Sequence, residues 1–464
     1  MKNVCRFNNL WRENPGARPV FYPHQLLDRK ASVLEVVGRW NEAEAIFRAN
    51  LEWVQASNDP ETIACDQNGL GNILRLKGLY PQALALFEEA YRISSVSEDK
   101  PGVWKSLINM GMVYFNQGIY PKAMECYRTN FGIAEALGDA PKTGRTYLMM
   151  GNVHLYQGEY SSALDCYQRS LAILTEADDR QNISSLMNNM GLIHMEQGDY
   201  PRALELYQKG LALHRSLGNK KGISNAIGNM GLLYMQQGDY ARSLECYHQQ
   251  MAISQELGDR RNLGISAGNM GIVYMDQGDY AKALESYRQS LDIAQELNDQ
   301  ESIGITMGSL GELYNKLQDP RQAGQHYDQA IAIARQLQLK FYLCSYLHSK
   351  ADLLFTQQKV PQAETLNAEA LQIAQEIMVP DIVFSCRILQ ADILGLTQKG
   401  RARQLLENML TEATDDRQLA DLNHHLYKIT GVNEHRTEAL GLYRALHQKT
   451  PKAQYRDWIA ELDS

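Results

Sequence analysis

The sequence predicts an all-α solenoid, a row of stacked helix-turn-helix hairpins, and two observations support this. First, the 464-residue chain repeats itself: residues 189–219, 229–259 and 269–299 are closely similar and begin 40 positions apart. Second, small and aromatic residues recur within each repeat at spacings of three or four, which places them on one face of a helix. A fixed period decides the architecture, because each unit buries its apolar face against the next.

Two series of glycines define the register of the repeat. A first glycine recurs every 40 positions, and a second glycine follows it seven residues later, two residues before a tyrosine. The first series, which we call the anchor glycines, comprises Gly71, Gly111, Gly151, Gly191, Gly231, Gly271 and Gly311. The second series comprises Gly78, Gly118, Gly158, Gly198, Gly238 and Gly278. A small residue such as Ala203 and, four later, an aromatic such as Tyr207 complete each unit.

Each unit is therefore predicted to be a helical hairpin with a short glycine turn. The anchor glycine lies on the first helix, helix A, and lets the second helix, helix B, approach closely. The aromatic residue of helix B fills the gap beside it. Pro121 and Pro201 mark the start of helix B, where a first-turn proline is tolerated. Gly138 and Gly218 suit a left-handed cap at its end.

This pattern resembles the tetratricopeptide repeats: leucine or methionine before the anchor glycine, an aromatic three residues after it, then Gly-x-Tyr, a small residue and an aromatic. The resemblance extends through the seven middle units. Their 40-residue period is longer than the usual ~34 residues. It is similar to the repeats of the Leu-Gly-Asn-repeat G-protein modulators, rapsyn and kinesin light chain. The resemblance implies a right-handed superhelix of about eleven hairpins whose helices A line a concave groove.

The chain divides into three parts. Residues 1–22 lack the repeat, and we expect them to tuck over the first unit or, as an alternative, to occupy the groove. Residues 23–340 form the regular array with its 40-residue period. Residues 341–464 are degenerate repeats with a terminal cap, since Ala351 replaces the anchor glycine and Gln358 the turn glycine. Atypical terminal units are expected, because one of their faces meets water.

Composition narrows the classes of function. A net charge of −8 and a pI near 5.8 argue against a nucleic-acid partner, which requires a basic surface. No apolar run is long enough for membrane insertion, and the first residues lack the apolar core of a signal peptide. Three of the seven cysteines share one repeat position, which indicates packing in a reduced, cytoplasmic chain. The sequence has no motif for catalysis, a metal or a cofactor, so we predict a protein that is not an enzyme.

The candidate site follows from the side chains that would line the groove. On helix A, the residues six and two before the anchor glycine and one after it lie opposite the face that contacts helix B. Two of these positions hold a row of asparagines: Asn72, Asn109, Asn152, Asn189, Asn229 and Asn269. A neighbouring row, four after the anchor, includes Met195, Met235 and Met275, which suit ligand side chains of varied shape. Lys105 and Arg145 lie on the same stripe one unit apart and suit an acidic ligand group.

The asparagine row has two interpretations. Each carboxamide offers two donors and an acceptor, so a row in register can pair with the backbone of an extended peptide. The likeness to kinesin light chain and the G-protein modulators implies the same use. Alternatively, the asparagines pair between neighbouring helices A and fix their stacking angle. Binding of a chaperone tail is disfavoured, because positions that would need lysine hold Ile108, Leu148 and Asn188.

We therefore predict an interaction scaffold that binds a peptide or a partner's helix in the groove. One alternative is a regulatory receptor for a small signalling peptide, similar to the bacterial tetratricopeptide quorum-sensing regulators. A second is a regulatory subunit of a separate signalling enzyme, which would use its convex surface. A third is a spacer array that binds only at its ends.

Overall fold

A computed structural model describes residues 24–36, 38–55, 59–413 and 415–464. These residues form 23 helices and no strand, which confirms the predicted all-α fold. None of these helices is both long enough and apolar enough to cross a membrane. The predicted N-terminal segment, residues 1–22, lies outside the described residues.

Consecutive helices pair as hairpins, each packed against the next. In chain order the helices are α1 (His24–Val36), α2 (Trp40–Gln55), α3 (Pro60–Leu76), α4 (Tyr80–Val96), α5 (Lys100–Asn116), α6 (Tyr120–Leu137), α7 (Ala140–Tyr156), α8 (Tyr160–Glu176), α9 (Arg180–Glu196), α10 (Tyr200–Ser216), α11 (Lys220–Gln236), α12 (Tyr240–Leu257), α13 (Arg260–Gln277), α14 (Tyr280–Leu297), α15 (Gln300–Lys316), α16 (Pro320–Leu337), α17 (Lys340–Thr356), α18 (Val360–Glu376), α19 (Pro380–Gly395), α20 (Lys399–Glu412), α21 (Asp416–Thr430), α22 (Asn433–Lys449) and α23 (Ala453–Asp463). The odd-numbered helices from α1 to α21 are helices A, and each forms a hairpin with the helix that follows it. The described residues thus contain eleven hairpins, as predicted, and α23 packs on the last one.

The contact between anchor glycine and helix-B aromatic holds the regular hairpins together. A Cβ atom placed on Gly191 would lie 2.6 Å from Cε1 of Tyr207, and one on Gly151 would lie 2.4 Å from Cε1 of Tyr167. At the other anchor glycines, Gly71, Gly111, Gly231, Gly271 and Gly311, the nearest ring atom would be 2.4 to 3.0 Å away. The ring thus occupies the space of a side chain on helix A, which confirms the predicted role of the glycine.

Left-handed residues make the turns, as the glycine pattern predicts. Inside the hairpins, Gly198 has a φ of 77° and Gly278 a φ of 80°. At the end of α6, Gly138 has a φ of 64°. Where the turn glycine is replaced, Gln318 keeps a positive φ of 57°. The geometry of the turn therefore persists into the degenerate units even without glycine.

Successive turns of the superhelix contact each other and enclose the inner surface. The Tyr80 hydroxyl donates to a Glu301 carboxylate oxygen over 2.7 Å, across 221 residues of sequence. Gln117 Nε2 donates to the Leu337 carbonyl over 3.1 Å, across 220 residues. Because each unit has 40 residues, one superhelical turn takes between five and six units.

The C-terminal segment makes a second set of contacts between superhelical turns. The Thr450 hydroxyl donates to the Gln236 carbonyl over 3.2 Å. Lys452 Nζ lies 3.6 Å from Asp276 Oδ2. These residues lead into α23, which contacts α13. The terminal helix therefore fixes the end of the chain against the middle of the array.

We expect Gly191→Ala to destabilise the array, because its methyl group would overlap the Tyr207 ring. Overpacking of this kind costs about 1–3 kcal/mol, so the urea midpoint of unfolding, followed by circular dichroism, should fall. Gly132→Ala is the control, because Gly132 lies inside α6 and an added Cβ would meet no atom within 4 Å. That control should gain about 0.5–1 kcal/mol from helix propensity. Equal effects of the two substitutions would contradict the packing role of the anchor glycine.

Candidate functional site

A cavity of about 520 Å³ opens between helices α9, α11 and α13, where the groove is predicted. We call it the amide cavity, because nine of its sixteen lining residues are asparagine or glutamine. These nine are Gln181, Asn188, Asn189, Asn219, Asn225, Asn229, Gln250, Asn262 and Asn269. Most of them belong to helices A, so the inner surface of the superhelix presents a polar, hydrogen-bonding patch over three successive units.

The first two asparagines of the predicted row are used within the protein. Asn72 Nδ2 donates to a Glu35 carboxylate oxygen over 2.7 Å, and its Oδ1 accepts from the Arg75 guanidinium at 2.7 Å. Asn109 Nδ2 donates to Asn68 Oδ1 over 3.0 Å. Glu35 and Asn68 each lie on the helix A of the preceding unit. At this end of the array the asparagines therefore join neighbouring helices.

The next pair of the row is also joined. Asn189 Nδ2 donates to Asn152 Oδ1 over 2.8 Å. The same oxygen accepts from the Tyr167 hydroxyl over 2.7 Å, which ties both helices A to the aromatic of a helix B. For these four asparagines, the stacking interpretation describes the geometry.

Asn229 and Asn269 differ from the other members of the row. Both line the amide cavity, and neither side chain forms a hydrogen bond with another residue in the described part of the chain. Asn188, which is only 7% exposed, also leaves its Oδ1 without a protein partner there. Unsatisfied buried polar atoms cost about 1–3 kcal/mol each. Three carboxamides of this cavity, those of Asn188, Asn229 and Asn269, thus keep hydrogen-bonding capacity that no described residue uses.

The sequence also contained signals for lining residues outside the predicted row. Asn225 precedes Asn229 by four positions, so both lie on one face of α11. Asn262 donates to Asn225 over 3.1 Å and extends this polar surface onto α13. The four-residue spacing of Asn225 and Asn229 can be recognised in the sequence. Gln250 lies on a helix B, so its place in the cavity lining could be found only from the structure.

The methionine row does not line the groove, and its assignment to the ligand surface is wrong. Met195 is 3% exposed and Met235 is 6% exposed, and both pack in the hydrophobic core. Met275 is half-buried and packs against the core around Tyr287. The reason is angular: four residues of an α-helix rotate by about 400°, so these side chains point within about 40° of the anchor glycine. They therefore face helix B.

Lys105 and Arg145 are exposed on the inner stripe, as expected, but lie outside the lining of the amide cavity. Lys105 Nζ lies 3.7 Å from Cys65 Sγ. The Arg145 guanidinium stacks 5.5 Å from the centre of the Trp104 ring, and desolvation lowers its pKa. Both cations precede the cavity along the array.

A second, more apolar cavity of about 260 Å³ adjoins the first. It lies between α13, α14 and α15, and we call it the apolar cavity. The two cavities share Ile265 and Asn269 in their linings. A ligand in one cavity can therefore continue into the other without leaving the inner surface.

The charges along the inner surface favour an uncharged, hydrogen-bonding ligand at the amide cavity. The described residues of its lining include Lys221 and no carboxylate. Burial lowers the pKa of His214, so this lining residue is neutral at pH 7. Further along, Glu312 and Asp352 are exposed on the inner surface, yet desolvation by the surrounding helices raises the pKa of both carboxyl groups. These two carboxyl groups lie beyond the amide cavity, and Lys316 lies near enough to both to partly offset the rise of their pKa.

Comparison with known families agrees with this architecture. A family model described as tetratricopeptide repeat matches residues 24–95, 105–176, 222–296 and 262–336, which together exceed half of the chain. The chain belongs to the tetratricopeptide repeat family. A second model with the same description matches residues 184–217. The resemblance stated from the sequence is thereby confirmed.

A comparison with solved structures finds several that are similar to this tetratricopeptide repeat protein. A Rap protein complexed with competence and sporulation factor is 16% identical, with a TM-score of 0.53 over 76% of this chain and 98% of the Rap chain. The apo form of the quorum sensor NprR from B. thuringiensis is 15% identical, with a TM-score of 0.47 over 80% of this chain and 100% of that one. NprR in complex with its cognate peptide NprX is 14% identical, with a TM-score of 0.49 over 74% and 99% of the two chains. No curated protein sequence matches this chain significantly.

We expect Asn189→Ala to lower the free energy of unfolding by about 1 kcal/mol, because it removes the hydrogen bond to Asn152. Asn229→Ala is the matched control at the same repeat position one unit on. It should change stability by less than about 0.5 kcal/mol, since its amide has no partner in the described chain. Urea unfolding of both variants makes the comparison, and an equal loss in both would contradict the different roles of the two residues.

Proposed function

We propose that this tetratricopeptide repeat protein is a non-enzymatic interaction module that binds an extended peptide segment along the inner surface of α9, α11, α13 and α15. The observation that carries the proposal is the amide cavity, whose lining includes the carboxamides of Asn229 and Asn269, which no described residue pairs with. A peptide backbone presents alternating N–H and C=O groups, and a carboxamide complements both.

The spacing of the two asparagines supports an extended ligand. They occupy the same position on α11 and α13, in neighbouring units. Packed helices lie about 8–10 Å apart, and an extended chain rises about 3.3 Å per residue. One unit of the array therefore corresponds to about three ligand residues. Two asparagines one unit apart can hold backbone groups of the same peptide without distorting it.

The polarity of the cavity and a neighbour of similar fold give further support. An amide-rich lining with a single cation, Lys221, matches uncharged peptide units better than a phosphate, which attracts several cations. The Rap protein with this fold is complexed with competence and sporulation factor, which supports ligand binding as a use of such an array. If the ligand extends beyond the cavity towards the N-terminal units of the array, an acidic group on it would contact Lys105 and Arg145.

We expect the double variant Asn229→Ala/Asn269→Ala to lose peptide affinity while remaining folded. A peptide selected from a phage-displayed random library on the native protein would be synthesised and its Kd measured by titration calorimetry. Each lost hydrogen bond costs about 1 kcal/mol net, so the two substitutions together should weaken binding by at least about tenfold.

Ser349→Ala is the matched control for this experiment. Ser349 occupies the same repeat position on α17 and lies outside the linings of both cavities, so its replacement should leave the Kd unchanged. Unchanged affinity in the double variant would refute the asparagine site. A library that yields no binding peptide would refute the proposed function itself.

A further inference from the structure

We infer that the apolar cavity is a subsite for an aromatic side chain of the bound peptide. The inference rests on the proposed function and specifies the chemistry of one ligand residue. The evidence is a comparison between repeats of this protein. The neighbouring units show which side chains fill the space that corresponds to this cavity.

Three consecutive units have glycine three residues before the anchor glycine, at Gly228, Gly268 and Gly308. Each of these glycines leaves a gap on its helix A. Beside Gly228 the gap is filled by the Gln250 side chain, whose Nε2 would lie 2.5 Å from an added Cβ. Beside Gly308 it is filled by the Tyr346 ring, whose Cε1 would lie 2.3 Å away.

No described side chain fills the gap beside Gly268 in this way. The nearest atom to an added Cβ is Ser290 Oγ at 3.3 Å. Two substitutions within the repeat explain the space: Ser290 stands where the preceding unit has Gln250, and Thr306 stands where the following unit has Tyr346. Both replacements are smaller, so the array opens into the apolar cavity at this unit and at neither of its two neighbours with the same glycine.

The size of the cavity and the apolar part of its lining suit an aromatic ring; the charged lining residues Arg261 and Asp299 are paired with each other over 3.0 Å. Its volume is about 260 Å³, whereas an apolar cavity of about 150 Å³ is large enough to bind benzene. Ile272, Ile305 and Tyr342 contribute apolar walls. Tyr342 also stacks on Tyr346, one turn further along α17, with ring centres 6.1 Å apart, so this wall of the cavity already packs against an aromatic ring.

The position of the cavity links this ring to the peptide backbone. Asn269 lines both cavities, so its carboxamide can bond to the backbone near a residue whose side chain enters the apolar cavity. Ser309 lines the apolar cavity from α15 and is half-buried. A large residue at Ser309 would block the cavity without replacing a buried core residue.

The test uses p-cresol, the side-chain analogue of tyrosine, and n-butylammonium as a non-aromatic control probe, with binding followed by ligand-observed NMR on the full chain. Thr306→Tyr fills the cavity with the residue that the next unit carries at this position, and Ser309→Trp blocks it from the inner surface. Ser349→Trp is the matched control, at the position equivalent to Ser309 one unit on and outside both linings.

We expect p-cresol to bind the native protein and Ser349→Trp alike. Its affinity should fall at least about tenfold in Thr306→Tyr and in Ser309→Trp, the range that a mismatch in an apolar pocket produces. If Thr306→Tyr fails to fold, judged by circular dichroism, Ser309→Trp alone decides. Failure of p-cresol to bind the native protein, equal binding to Ser309→Trp, or equal binding of n-butylammonium would overturn the inference.

A peptide selection separates this inference from the proposed function. Peptides selected on the native protein should share an aromatic residue at one position, and the preference should disappear on Ser309→Trp but not on Ser349→Trp. Selected peptides without an aromatic preference would overturn the subsite and leave the peptide function standing. Failure to select any peptide would overturn the function, while the p-cresol measurement would still decide whether the cavity takes a ring.

Discussion

The packing of an aromatic ring of helix B against an anchor glycine of helix A is the contact on which the rest of this structure depends. Tyr207 against Gly191 is one example, repeated every 40 residues along the regular array. The ring takes the place of a side chain, so each pair of helices has one close approach. The repetition of this hairpin geometry builds the superhelix, and its helices A form the inner surface.

A strictly periodic array would present the same inner surface at every unit, and the candidate site arises where the periodicity fails. Among the described residues, Asn229 and Asn269 lack the cross-unit partners that Asn72, Asn109 and Asn189 have. At Gly268 the gap on helix A remains open because Ser290 and Thr306 are small. The repeated hairpin geometry thus forms the scaffold. Local departures from the repeat provide the hydrogen-bonding groups and the cavity of the candidate site.

The fold could be predicted because its determinants are local and periodic. The anchor glycines, the turn glycines and the helix-B aromatics lie within one unit and repeat at a fixed spacing, so the hairpins and their number follow from the sequence. Helical geometry also predicted that Asn229 and Asn269 lie on the inner face of their helices A. The prediction that the methionine row lines the groove was wrong. Met195 and Met235 are rotated by only about 40° around the helix axis from the anchor glycine, so they face the core.

The remaining features depend on residues that are distant in sequence. The contact of Tyr80 with Glu301 requires the pitch of the superhelix, which no single repeat encodes. The amide and apolar cavities require knowledge of which side chains approach from neighbouring helices. A pattern of residue types shows which side chains share a face, but it does not show whether a carboxamide is already paired or a gap already filled.

The crystal structure of the full chain with a selected peptide is the most direct test of the central claim. The account predicts an extended peptide on the inner surface, with its backbone at Asn229 and Asn269 and one aromatic side chain in the apolar cavity. A peptide bound on the outer surface of the helices B, or only on the terminal units, would contradict it.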